Sequence, residues 1–312
     1  MDDVVHLPVL AQEVVRLLLP RPGDTVVDLT VGQGGHAALF AERVGAEGTI
    51  VAFDLDGLNL AMATDRIHAT GVRIIPIHAP FTGAASELAS RGLQADVVLA
   101  DLGFSSNQMA DAGRGFSFSA DGPLDMRLDR TRGATAADLV AGLDEKQLAD
   151  LIYRYGEDPF ARRIARKLAQ IRDREPIRTT ARLAAAVVEA YGPRARSSRM
   201  HPATRTFMAL RIAVNDELGS LGTLLEFIAR GAEDAARGGW LKSGARVGVI
   251  SFHSLEDRLV KHAFADLVKR ALAERLTRKP VTADEMEIRS NPRARSAKFR
   301  AISIARTPPM PE

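Results

Sequence analysis

Four short runs rich in Val, Ile and Leu, at Thr25–Thr30, Thr49–Asp56, Val72–Ala79 and Ala95–Gly103, alternate with helical patterns at Gly35–Val44, Leu58–Thr70 and Thr82–Arg91. Strand–helix–strand order leaves one economical solution, a parallel sheet wound with right-handed crossovers. The next run that reads as a buried strand is Ala245–Phe252. The roughly 140 residues between hold a Gly/Asp-rich loop, Gly113–Gly133, and helical patterns near 135–155, 157–173, 179–191 and 203–237. The pattern predicts an α/β core built from 1–107 and 207–312, with 108–206 inserted as a loop plus an all-helical module. The insertion departs at the carboxyl end of the fourth strand, where open α/β sheets bind ligands, and is expected to roof that site. Lys298–Arg306 reads as a closing strand, and the tail TPPMPE as disordered. There is no internal repeat.

At 312 residues the chain suffices for one large domain or two ordinary ones. Its apolar runs fall short of the roughly 18 residues of a membrane span. MDDVVHLPVL lacks the basic start of a signal peptide. There are 0 cysteines, hence no disulfide, thiolate metal site or Cys nucleophile. Seven scattered His show no metal-ligand spacing, so no metal is expected. A cytoplasmic protein fits all of this. The net charge of +3 hides an asymmetry: residues 151–211 carry 14 basic and 5 acidic groups, 13 of the basic ones Arg. That stretch is either a set of solvated helix faces or a surface for a polyanion.

VVDLTVGQGGHAAL places Gly32, Gly34 and Gly35 between a strand and a helix. Such a turn lets a ligand approach the backbone and the helix N-terminal N–H groups. Asp54, at the end of the second strand, suits both hydroxyls of a ribose. NAD and S-adenosylmethionine are served equally by this pair. Asp101 ends the fourth strand in DLGFSS, facing the crevice or capping a helix. His36 is a ligand contact or a polar residue on a wet helix. In RGFSFSADGPLDMR, Asp121 and Asp125 are bases, or organise the loop through Asx-turns and Arg pairing. Arg205 and Arg211 have no i,i+4 acid, which leaves phosphate contact or a buried pairing. In SFHSLEDRLVKHAF, Ser254 reads as N-cap with Asp257 at N3; His253, just before, is structural or catalytic. No G-x-S-x-G hydrolase elbow occurs.

GQGGH, DLGFSSNQMAD, RGFSF with DGPLDMR, HPATRTF with ALRIAVNDEL, SFHSLEDR and NPRARSAKFR together closely resemble the bacterial ribosomal RNA small subunit methyltransferase H family, also called MraW. The resemblance runs from His6–Leu10 to about Arg306. It implies a Rossmann-like S-adenosylmethionine-dependent core that methylates N4 of a cytidine in the decoding centre of 16S rRNA. The substrate would be free rRNA, an assembly intermediate or the small subunit; no membrane is involved, and a homodimer is compatible. The family's cofactor positions fall on Gly34, Gly35, His36, Asp54, Phe81, Asp101 and Gln108. Two departures border the pocket: Phe104 stands where Val is common, and Asn107 where Pro is common.

The missing cysteines bear on the chemistry. Methylating C5 of cytosine requires a thiolate; methylating the exocyclic amine does not. The N4 lone pair is delocalised, so an acceptor for an N4–H must localise and aim it. Asp101 is the preferred acceptor, with Asp125 and His253 as further catalytic candidates. Phe104, Phe116 and Phe118 are candidate stacking residues for an unstacked base. Two rivals remain at this level: a nicotinamide enzyme, and an RNA-binding factor without catalysis.

Overall fold

The computed structural model describes residues 8–198 and 200–306. The tail TPPMPE and His6 of the HLPVL motif lie outside the described residues. The chain begins with α1 (Ala11–Leu18), β1 (Thr25–Asp28), α2 (Gly35–Val44), β2 (Thr49–Asp54), α3 (Gly57–His68), β3 (Arg73–His78), α4 (Ala84–Ser90) and β4 (Ala95–Asp101). A helical stretch follows, with α5 (Ser106–Ala110), α6 (Ala136–Gly142), α7 (Glu145–Gly156), α8 (Ala161–Arg172), α9 (Thr180–Tyr191) and α10 (Ala203–Asn215). The chain ends with α11 (Glu217–Asp234), β5 (Leu241–Ser251), α12 (Ser254–Lys269), β6 (Ala273–Arg275), α13 (Glu285–Ser290) and β7 (Lys298–Ile304).

Two compact units result, one from 1–103 with 218–312 and one from 104–217. The boundaries differ from the expected 107/108 and 206/207. A helix packs as one body, so α10 goes whole to the second unit.

The first unit is a seven-stranded sheet of order β3-β2-β1-β4-β5-β7-β6. Strands β1 to β5 are parallel. Val26, Ile50, Ala52, Val97, Leu99 and Ile250 join one core with α1, α2 and α3. Val27, Val51, Phe53, Val98, Ala100 and Val249 join another with α4, α11 and α12. The alternation along each strand thus feeds two buried faces, as a helix-covered parallel sheet requires. Removing each large side chain from water contributes about 1.5–3 kcal/mol. The closing strand β7 pairs antiparallel with β5, Lys298 opposite Ser251. It starts at the edge where β5 ends, so it can only run back. β6, which the sequence reading did not foresee, pairs antiparallel with β7; three residues carry no readable alternation.

The second unit buries Ile164, Ala165, Leu168 and Ile171 of α8, while Arg162, Arg163 and Arg166 on the other side are exposed. The expected helices near 135–155 and 203–237 are each two. Asp144 caps α7 through a capping box with Gln147, and Asp216 breaks α10 from α11 at φ 45°. Gly115 has φ +73°, and a Cβ there would lie 2.3 Å from the Pro123 carbonyl oxygen; only glycine closes that loop. Among the described residues no helix is long and apolar enough to cross a membrane.

Candidate active site

In the first unit β1, β2 and β4 end together, so register alone brings Asp28, Asp54 and Asp101 to one edge of the sheet. After β1 the chain turns sharply. Val31 N–H donates to the Phe53 carbonyl (2.9 Å) and Gly34 N–H to the Val31 carbonyl (2.8 Å). Gly34 has φ +79°, and a Cβ on it would meet the Ala63 Cα at 3.0 Å. Glycine is therefore demanded twice, by backbone sign and by the packing of α3. Gly35 opens α2, whose N-cap, Gly34, supplies no side-chain hydrogen bond. The helix N-terminus is thus left to backbone N–H groups, which suit an electron-rich ligand.

Asp54 organises this turn. Its carboxylate accepts from Gly32 N–H (2.8 Å) and from Asp56 N–H (2.7 Å). Each oxygen keeps capacity for a hydroxyl donor. Burial pushes its pKa up to about 6, against those backbone hydrogen bonds. Asp28 is buried, accepts from Thr30 N–H at 3.2 Å, and is pushed up to about 7 by burial, with Asp54 adding to the rise. Asp101 donates its own N–H to Thr30 Oγ1 (2.7 Å). Its carboxyl is raised well above the usual range by burial first, then by Asp28 and Glu256. Among the described residues, Asp101 Oδ1 is buried without a hydrogen-bond partner. Such an atom costs stability unless a ligand satisfies it.

His36 stands on the first turn of α2 and is buried, not on a wet face. Its Nε2 is 3.7 Å from Asp101 Oδ2, too far for a hydrogen bond. Burial lowers its pKa to about 4, so near neutrality it is an uncharged neighbour that fixes the wall beside Asp101. Phe81 is half-buried at the start of a short turn after β3 and packs on the core.

His253 takes a different place from the one expected. It, not Ser254, is the N-cap of α12, and Glu256, not Asp257, is the N3 partner of the capping box. Its Nδ1 accepts from Glu256 N–H (3.4 Å), and its Nε2 lies 3.3 Å from Glu256 Oε1. The buried Glu256 accepts from Phe252 and His253 N–H at 2.8 and 3.2 Å. A side chain so employed holds the end of β5 in place. Asp257 instead takes a two-pronged contact from Arg300, at 2.6 and 3.2 Å.

Gln108 and Asp125 belong to the second unit. Gln108 Oε1 accepts from Ser105 N–H (3.0 Å), closing a capping box on α5. Asp125 is gripped by Arg127, Nε to Oδ1 at 2.8 Å and Nη2 to Oδ2 at 2.9 Å. Those contacts carry its pKa below the usual carboxylate value, although burial opposes them. A carboxylate held ionised by an arginine pair is a loop brace and a poor proton acceptor. Asp121 accepts from Ala181 and Gly122 N–H, which also makes it an organiser. Arg211 is paired with Glu217 at 2.7 and 2.9 Å and lies 4.8 Å from the Phe104 ring centre. Arg205 donates to the Glu157 carbonyl. Phe104 stacks on the buried Phe116, with ring centres 5.3 Å apart; Phe118 contacts His201 and Phe207.

Asp28 stands in VVDLTVGQGGHAAL as the acid before the glycine turn, whereas Thr30 and Glu256 go unremarked in the sequence. The signal for Thr30 is present: a hydroxyl two residues past a strand-ending acid can link two strand ends. Glu256 could have been found by testing His253 as the cap.

The profile of the MraW methylase family matches residues 3–305. The chain is 46% identical over 307 residues to "Ribosomal RNA small subunit methyltransferase H" of Acidobacterium capsulatum, covering 96% of this chain and 99% of that one. To the protein of that name from Sorangium cellulosum it is 48% identical over 297 residues, covering 95% and 90%. With the glycine turn and the strand-end acids lying inside that match, the chain belongs to the MraW methylase family.

Proposed function

We propose that this chain is an S-adenosylmethionine-dependent methyltransferase that modifies N4 of a cytidine in the decoding centre of 16S rRNA, in the cytoplasm, on the small subunit or a precursor of it. The observation that carries the reading is the carboxylate group at the sheet edge. Asp28, Asp54 and Asp101 sit beside a glycine turn, and among the described residues none of them pairs with a Lys or Arg. Acids crowded together and shielded from water favour a cationic ligand. The open Asp101 Oδ1 suits an N–H donor such as the exocyclic amine of cytosine, and the match to the MraW methylase family favours a sulfonium nucleoside over a nicotinamide as the cation. S-adenosylmethionine supplies a methyl group carried on a positively charged sulfur. The turn at Gly32–Gly35 offers backbone contacts, and Asp54 accepts from the ribose. Asp101 accepts an N4–H of the cytidine, which aims the amine lone pair, and takes the proton displaced as the N–C bond forms. His36, uncharged, lines the site beside that carboxyl without competing for its proton. Gln108 and Asp125 brace the second unit.

Incubating the protein with labelled S-adenosylmethionine and small subunits from a strain lacking the gene yields N4-methylcytidine, or its 2′-O-methylated form, in digested rRNA by mass spectrometry. A methyl group on any other atom overturns the acceptor assignment. No transfer to subunits, free rRNA or partly assembled RNA, despite cofactor binding, overturns catalysis and favours the binding-factor reading.

The raised acids also set a pH dependence. Ribose hydroxyls donate best to ionised Asp54, whose pKa burial pushes up to about 6. The Kd for S-adenosylmethionine therefore falls about tenfold from pH 5 to pH 8 through this group alone, and further as Asp101 ionises. S-adenosylhomocysteine keeps the ribose and so the Asp54 part, but without the sulfonium charge it lacks the Asp101 part and shows a shallower profile in calorimetry. Parallel profiles for the two ligands contradict this.

A further inference from the structure

The NPRARSAKFR motif has no task in the chemistry above, and the structure assigns it one. Lys298 pairs with Ser251 at the end of β5, and β5 runs parallel to β4 with Asp101 opposite Ile250. The start of β7, and the short turn Pro292–Ser296 just before it, therefore lie at the sheet edge that carries Asp101. α12 begins three residues beyond Ser251 at the same edge. Asp257 ties the two together, held by Arg300 at 2.6 Å with Lys298 Nζ 3.9 Å away. Lys261 is one turn further along the same face of α12 and is exposed, as is Arg258. The chain beside β7 adds more: Val281 exchanges backbone hydrogen bonds with Phe299 at 2.9 Å in both directions. That places the preceding Arg278 and Lys279, both exposed, beside β7 on the face of the sheet opposite α12. Arg295 is exposed as well. The acids of this region are employed. Glu256 is buried in the α12 cap. Asp284 caps α13, Glu285 lies 3.6 Å from Arg289, and Glu287 accepts from Leu10 N–H.

We propose that this end of the first unit's sheet, with Arg258, Lys261 and Lys298 on the α12 side and Arg278, Lys279 and Arg295 on the other, holds the phosphate backbone of the RNA that flanks the reacting nucleotide. It rests on the RNA-directed function proposed above, and gives the first unit an RNA contact of its own. Long cations spread along one edge, with the local acids engaged, suit repeated phosphates better than a single small anion.

The test compares the Lys261→Gln, Lys279→Gln, Arg295→Gln triple variant with wild type and with Arg43→Gln, an exposed cation on α2. Binding of a folded small-subunit rRNA fragment is followed across a salt series. The triple variant binds at least about tenfold more weakly, and its log Kd against log salt slope drops by about 2–3. Its S-adenosylmethionine Kd and melting temperature stay at wild-type values. In the wild-type chain, RNA shields Lys261 and Lys279 from amine acylation. Wild-type affinity and slope in the triple variant, or unshielded lysines, overturn the proposal. If wild type binds RNA here without methylating N4, the reaction reading fails and the phosphate contact stands. If the triple variant methylates with wild-type KM, the phosphate contact fails and the reaction stands.

Discussion

Asp101→Asn lowers kcat for methyl transfer about 10²–10³-fold, the range seen when one well-placed polar group is removed from a transition state. The amide matches the carboxyl in shape, keeps an acceptor and loses the capacity to take a proton. S-adenosylmethionine affinity falls less, by about tenfold, because the amide supplies no negative charge near the sulfonium. A structural explanation makes the opposite prediction for stability. Asp101 has a raised folded-state pKa. Its protonated form therefore favours the folded chain, and that stability is lost as pH rises from the ordinary carboxylate range through the raised value. The asparagine variant escapes this loss and at pH 8 melts no lower than wild type. Single-turnover transfer with saturating cofactor, read beside a melting curve, separates the two. Wild-type kcat in a folded, cofactor-bound Asp101→Asn enzyme removes Asp101 from the chemistry.

Asp54→Ala weakens S-adenosylmethionine binding about 10²-fold or more. Two charge-assisted hydrogen bonds to ribose hydroxyls contribute about 1.5–3 kcal/mol each, and about 3 kcal/mol is already more than a hundredfold. The substitution also frees Gly32 and Asp56 N–H, now held at 2.8 and 2.7 Å, so the glycine turn loses its brace. Asp54→Asn keeps one acceptor oxygen and retains more affinity, with a loss of about tenfold. It also flattens the pH dependence of binding, since no group at about 6 is left to ionise. Calorimetry at pH 5 and pH 8 reads all three chains. An alanine variant that binds within about threefold of wild type rules out Asp54 as the ribose acceptor.

Much of the first unit was readable because parallel strands buried on both faces must be continuous apolar runs, and their ends must turn with glycine or an acid. α2 came out at Gly35–Val44 as read, and β1 to β4 within two residues at each end. β6 was not readable, since Ala273–Arg275 acquires strand geometry from pairing with Ile302–Ile304. The α12 cap was misread for a related reason. Ser-x-x-Asp and His-x-x-Glu are both acceptable in sequence, and Arg300, 43 residues further along, occupies Asp257. Arg211 appeared partnerless because its acid, Glu217, lies beyond the break at Asp216.

The sequence by itself determined the alternating strand–helix order, the glycine turn, the placing of an acid at the end of β1, β2 and β4, the absence of a thiolate and the family. Those properties reside in local pattern and residue chemistry. Only the tertiary structure decided which acids are free to react. Asp125 is neutralised by Arg127, Glu256 is spent on the α12 cap, and Asp101 is left half-buried with one buried, open oxygen. A carboxylate's role depends on its desolvation and its neighbours, and both are set by packing between residues far apart in the chain.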